Sequence, residues 1–141
     1  MRGPNPAGKI VKFLMIRPEQ VRAELEEHED VPSALRALGL RQGEIDHGTV
    51  SQHLGIMVYE YGFLRPIEEQ RLFSIWGQLY CGNALVYRID ARGETMSMCR
   101  ASVPPVAFYA SVQEVERVIR AGLVRRPYMA FNDLVTWEWN K

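Results

Sequence analysis

Residues 75–100 read IWGQLYCGNALVYRIDARGETMSMCR, and the spacing of turn signals in this stretch decides the fold class. Gly82-Asn83 separates residues 75–81 from 84–89, and a Gly-Asn pair suits a tight primed turn. Asp90-Ala91-Arg92-Gly93 then separates 84–89 from 94–100, with Gly93 placed for the left-handed residue of a longer hairpin. Two successive hairpins predict antiparallel pairing. The surrounding segments add short helices, so the expectation is a single α+β domain: a mostly antiparallel sheet with two or three short helices packed on it.

Working toward the N-terminus, residues 66–74 are expected to form a short helix with Ile67, Leu72 and Phe73 inward, and residues 63–65 a brief extension. Glu60-Tyr61-Gly62 is a turn in which glycine accepts a positive φ. Residues 54–59 read as an apolar strand. From Glu44 the period is two, with Ile45, His47 and Thr49 on one side. Val31, Ala34, Leu35 and Leu38 recur at helical spacing around Pro32, and Gly39 can cap the end. That apolar stripe is narrow, so the helix should lie on a sheet. Arg17-Pro18 opens an earlier helix, with Val21, Leu25 and His28 at i, i+4 and i+7 and the glutamates outward. Residues 9–16 (KIVKFLMI) are a strand covered on both faces. Residues 1–8 read as a flexible leader.

Toward the C-terminus, Pro104-Pro105 breaks the sheet and residues 106–109 form an edge strand. Ser111-Val112-Gln113-Glu114 matches a capping box that opens a helix, with Val112, Val115, Ile119 and Leu123 on one face and Gly122 at the stop. Val135, Trp137 and Trp139 alternate onto one face of a final strand. Residues 9–98 thus form the α+β core, and residues 99–141 a helix-plus-strand extension packed on it.

The chain has 141 residues, 47% of them hydrophobic and 24% charged, which fits one globular domain and excludes a fibrous or wholly disordered protein. No apolar run approaches the roughly 18 residues of a membrane span, so no membrane association is expected. The N-terminus lacks the apolar core of a secretory signal, and two cysteines cannot form a disulfide framework. A reduced, cytoplasmic setting follows as the expectation. Formal net charge is zero, which argues against a highly cationic nucleic-acid binder. The charge is segregated, however. Residues 18–69 carry four basic and eleven acidic groups, while 100–126 are net +3. Such asymmetry can steer a partner.

No catalytic constellation is expected. His47 and His53 lack metal-ligand spacing, and Cys81 and Cys99 have no neighbouring Cys or His, so neither a metal site nor a cofactor is assigned. The dinucleotide, P-loop, nucleophile-elbow and HExxH motifs are absent. Two groups of residues are candidate binding positions. Arg117, Arg120, Arg125 and Arg126, with Tyr128 close behind, can contact phosphate, and Lys9 and Lys12 can join them. The plainer reading is a solubilising helix face. Trp137 and Trp139 are either core residues or a partner surface, since Trp is enriched at interaction hot spots.

The middle of the chain resembles a family of small domains of unknown function carried by phages, plasmids and other mobile elements. The resemblance covers residues 9–98. It runs through KIVKFLMIRPE at the start, Leu35-Arg36-Ala37-Leu38-Gly39, Met57-Val58-Tyr59-Glu60-Tyr61-Gly62-Phe63-Leu64, and Leu79-Tyr80-Cys81-Gly82-Asn83-Ala84-Leu85-Val86. Where the family often has an asparagine before an arginine, this chain has Gln70-Arg71. The resemblance implies a mobile-element context and no catalytic residues. The expected function is therefore a non-catalytic accessory protein that binds a host or phage protein, possible inhibition of a bacterial defence system included. A homodimer is a further partner. The alternatives are a nucleic-acid-binding regulator that uses the arginine-rich patch, and a binder of a small ligand or nucleotide.

Overall fold

The structure, a computed structural model, describes residues 10–123. Strand β1 (Val11–Arg17) is covered on both faces, as its apolar run requires: Phe13 and Met15 face one side and Leu14 and Ile16 the other, all buried. The helix expected from Arg17-Pro18 does not form. Pro18–Gln20 makes one 3-10 turn, Val21 takes φ +52°, and the chain returns as β2 (Arg22–His28), antiparallel to β1 along its whole length. The same residues fit two periods, because Ala23 and Leu25 also alternate inward. An isolated helix of that length is marginal, whereas β1 supplies a complete ladder of hydrogen-bond partners.

The next helix, α1 (Val31–Ala37), forms as expected. Asp30 Oδ1 accepts the Ser33 N–H at 2.9 Å, Pro32 occupies the first turn, and Gly39 at φ +74° follows the end. Ala34, Leu35 and Leu38 pack on Phe13, Met15 and Leu85. Strands β3 (Ile45–Ser51) and β4 (Leu54–Tyr59) form a hairpin with a register shift between Thr49 and Ser51. Two 3-10 turns follow, Gly62–Leu64 and Ile67–Glu69, in place of the expected extension at 63–65 and the expected helix over 66–74. Leu72 and Phe73 belong to a strand instead, and both are buried on opposite faces of it.

The remaining elements are β5 (Leu72–Ile75), β6 (Gln78–Cys81), β7 (Ala84–Ile89), β8 (Thr95–Met96), β9 (Val106–Tyr109) and α2 (Val112–Arg120). They make two sheets. The larger has the order β2-β1-β7-β4-β3, with β8 also pairing β7; the smaller has the order β6-β5-β9. Every strand pair is antiparallel. This is the expected α+β class. The Asp90-to-Gly93 hairpin also forms, with Gly93 at φ +83°, and β9 is an edge strand.

The hairpin expected at Gly82-Asn83 does not form. The tight turn lies six residues earlier, at Trp76-Gly77, because Ile75 pairs directly with Gln78. Both turn residues have positive φ, +46° and +79°, as the primed turn of a right-twisted hairpin demands. Gly82-Asn83 instead carries the chain from the smaller sheet into the larger one. Gly82, at φ +88°, makes that change of direction.

The result is four layers. One face of the larger sheet receives α1. Its other face packs on the smaller sheet through Leu14, Ile16, Ile56 and Val86 against Phe73 and Ile75. The outer face of the smaller sheet, with Leu72, Leu79 and Cys81, receives Val115, Val118 and Ile119 of α2. Ser111 Oγ caps α2 by accepting the Glu114 N–H at 3.2 Å, while Glu114 Oε2 accepts the Ala110 N–H, one residue before the position a strict capping box uses.

Phe73 is fully buried between the sheets and stacks on Tyr80 with ring centroids 5.3 Å apart. Phe73→Ala should therefore cost about 3–5 kcal/mol, measured by urea denaturation. Arg17 grips both oxygens of Glu26 across the β1–β2 hairpin and holds that carboxyl below its ordinary value, with His28 adding to the effect. A depressed carboxyl pKa stabilises the fold above the unfolded value and loses that contribution as the pH falls through the folded one. Glu26→Gln should thus lower Tm at neutral pH, and the difference from the unsubstituted protein should shrink as the pH falls through the folded-state value of Glu26.

Candidate functional site

Antiparallel topology brings four connections to one end of the larger sheet: the β1–β2 turn with Glu19, the α1–β3 segment with Arg41 and Glu44, the β4–β5 connection with Arg65, Glu69 and Arg71, and the β6–β7 crossover. With Tyr59 at the end of β4 they line a cleft of about 550 Å³.

The floor of the cleft is a close backbone contact. Gly62 was expected to sit at positive φ, but its φ is ordinary and its requirement is for space. A Cβ on Gly62 would lie 2.9 Å from the Cys81 carbonyl oxygen. The Cys81 thiol donates to the Gly62 carbonyl at 3.4 Å, and the Gly82 N–H donates to the Arg71 carbonyl at 2.7 Å. Burial pushes the Cys81 thiol up to about 12, against a smaller opposing pull from the Arg65 and Arg71 guanidinium groups. The thiol is thus a packed, protonated side chain at neutral pH.

The β4–β5 connection is shaped by Gln70. Gln70 is only 6% exposed, and its Nε2 donates to the carbonyls of Phe63 and Arg65 at 3.2 and 3.0 Å. Its Oε1 has no hydrogen-bond partner among the described residues. The next residue, Arg71, donates through Nη1 to the carbonyls of Glu68 and Gln70, both at 3.2 Å, which aims its guanidinium. Across the cleft, Asn83 Nδ2 donates to the Leu38 carbonyl at 2.9 Å and ties the crossover to the end of α1. The Glu60 N–H donates to the Glu44 carbonyl at 2.9 Å, which holds Glu44 beside the end of β4. Tyr59 meets Tyr61 edge-on, with centroids 5.6 Å apart.

No protein-family model, curated protein or solved structure matches the chain. Function must therefore be argued from the surface itself.

Of the sequence-derived candidates, Arg117 and Arg120 lie on α2 and are exposed, with Arg120 pairing Glu116 at 3.6 Å one turn earlier. Lys12 is exposed on β1, in the other sheet. Lys9, Arg125, Arg126, Tyr128, Trp137 and Trp139 lie outside the described residues. Among the described residues no three His, Cys, Asp or Glu side chains converge as a metal site, and no helix is long and apolar enough to cross a membrane.

One feature outside the expected set stands out. Trp76, at the tip of the β5–β6 hairpin, is 53% exposed and holds φ +46°, a backbone conformation that bulky residues rarely adopt. A Cβ on its neighbour Gly77 would lie 3.5 Å from the Leu123 carbonyl, so the tip abuts the end of the α2 segment, where Leu123 is 68% exposed. The signal available in sequence was Gly77 between two apolar runs; the tryptophan before it disguised the turn.

Gly62→Ala should destabilise the protein by about 1–3 kcal/mol, because backbone on both sides must move. Gly43→Ala is the matched control: nothing lies within 4 Å of its Cβ and its φ is not positive. Thermal unfolding of the pair distinguishes a close-approach glycine from a merely permissive one.

Proposed function

We propose that this protein is a non-catalytic binding module of a phage or other mobile element, and that it acts by gripping another protein. The observation that carries the reading is Trp76. An exposed tryptophan in a left-handed turn costs about 1 kcal/mol that an Asn or Gly would avoid. Strain retained at an exposed aromatic points to use rather than to packing. Trp is also the residue type most enriched where binding energy concentrates. Leu123, whose carbonyl abuts the hairpin tip, is exposed as well and adds apolar surface beside it. The mobile-element context, and a bacterial defence component as the class of partner, rest on the resemblance of residues 9–98.

Trp76→Asn separates binding from folding. Asn-Gly is the preferred sequence for this turn, so the variant should unfold at the same or a higher temperature. It should also lose the partner that the unsubstituted protein retains from a bacterial lysate after nuclease treatment. A folded Trp76→Asn protein that keeps its partner would remove the hairpin tip from the interface. A partner that disappears with nuclease, in a salt-dependent manner, would favour phosphate contact by Arg117 and its neighbours instead.

A further inference from the structure

The cleft at the loop end of the larger sheet is a separate feature from the Trp76 tip, and its lining has the composition of a ligand site. Its volume of about 550 Å³ lies within the roughly 300–1,000 Å³ of small-molecule sites. A second groove, about 670 Å³, is lined by Leu14, Ala23, Leu25 and Val103 and carries one cation, Arg100. That groove lacks convergent donors.

The cleft is lined by three arginines, Arg41, Arg65 and Arg71, and by three glutamates, Glu19, Glu44 and Glu69. Arg65 and Arg71 line the cleft together with Cys81. Arg71 is anchored through Nη1 alone, to two main-chain carbonyls, which leaves its Nη2 and Nε without a partner among the described residues. Arg65 carries only a loose, solvent-exposed pair with Glu69 at 3.6 Å. Two guanidinium groups over a bare Gly62–Gly82 backbone floor make a fork for a tetrahedral anion. Tyr59 and Glu44 line the same cleft, with Arg41 on the connection that carries Glu44. Tyr59 offers a half-buried ring, and Glu44 lines the cleft beside the end of β4, where its carbonyl accepts the Glu60 N–H. A ring for stacking and a carboxylate that accepts N–H groups are what a nucleobase requires.

We propose that this cleft binds a free mononucleotide, with the phosphate on Arg65 and Arg71 and the base between Tyr59 and Glu44. Three arginines set against three glutamates in the lining suit one terminal phosphate at Arg65 and Arg71 and disfavour a longer polyanion. The size of the cleft sets the same limit. Such a ligand would act on the loops that also close the sandwich, so its binding should rigidify the β4–β5 connection.

The test is isothermal titration of the full chain with the four 5′-ribonucleoside monophosphates, their matched nucleosides and inorganic phosphate. At least one monophosphate should bind saturably, and its nucleoside and inorganic phosphate should each bind at least about tenfold more weakly. Arg65→Met keeps the aliphatic stem, removes the charge at an exposed position, and should weaken the monophosphate at least about tenfold with Tm little changed. Trp76→Asn should leave the titration unaltered. The proposal is overturned if no monophosphate binds at about 5 mM, if a nucleoside binds as tightly as its monophosphate, or if Arg65→Met binds normally. Preference for a single-stranded oligonucleotide over every mononucleotide would overturn it equally, in favour of an extended nucleic-acid surface.

Discussion

The first half of β7 has no solvent-facing side, and the other layers exist to cover it. Ala84, Leu85 and Val86 are completely buried, with hydrogen-bonded neighbours on both edges, β1 and β4. Leu85 points at α1, while Ala84 and Val86 point at the smaller sheet. A strand buried on both faces needs a layer on each side. Each large aliphatic side chain enclosed this way contributes about 1.5–3 kcal/mol. The chain meets the requirement by leaving the smaller sheet at Cys81 and entering the centre of the larger one at Ala84, with only Gly82 and Asn83 between. That short crossover accounts for the left-handed glycine, and for the side chain of Asn83 reaching back to the end of α1.

The cleft is a by-product of the same constraint. A crossover that enters mid-sheet brings the β6–β7 link, the end of α1 and the β4–β5 connection to one place. The β4–β5 connection runs from Tyr59 to Leu72 with no regular element longer than a 3-10 turn. Its carbonyls therefore need partners, and the Gln70 amide supplies two of the bonds. The two bonds fix the loop from Phe63 to Arg71. The gain is a fixed platform for Arg65 and Arg71.

Charge segregation has a structural account as well. The acidic residues 24–30, which suggested the solvated face of a helix, fall largely on β2, an outer strand of the larger sheet. Exposed charges such as Glu24 and Glu27 discourage pairing of an open edge with another chain. The glutamates at 68 and 69 lie instead in the cleft-forming connection. One acidic stretch of sequence thus serves two unrelated surfaces, and net charge by segment describes neither.

Local chemistry alone was enough for β1, α1, the Asp90-to-Gly93 hairpin, the cap at Ser111 and the antiparallel α+β class. Each depends on residues within about one or two turns of one another, where periodicity, capping and positive-φ glycines act without reference to the rest of the chain. The candidate binding positions Arg117 and Arg120 were legible in the same way, as an exposed helix face. What the sequence could not decide was which of two allowed periods would prevail at residues 21–28, or which glycine would turn a hairpin and which would change sheets. It also could not reveal that Gly62 answers to a carbonyl nineteen residues away. The cleft draws on positions from Glu19 to Asn83, and no local pattern unites them. Those outcomes were set by strand partners and by the burial of β7, which are long-range quantities. A local pattern can permit a strand, but only a neighbouring strand can supply its hydrogen bonds.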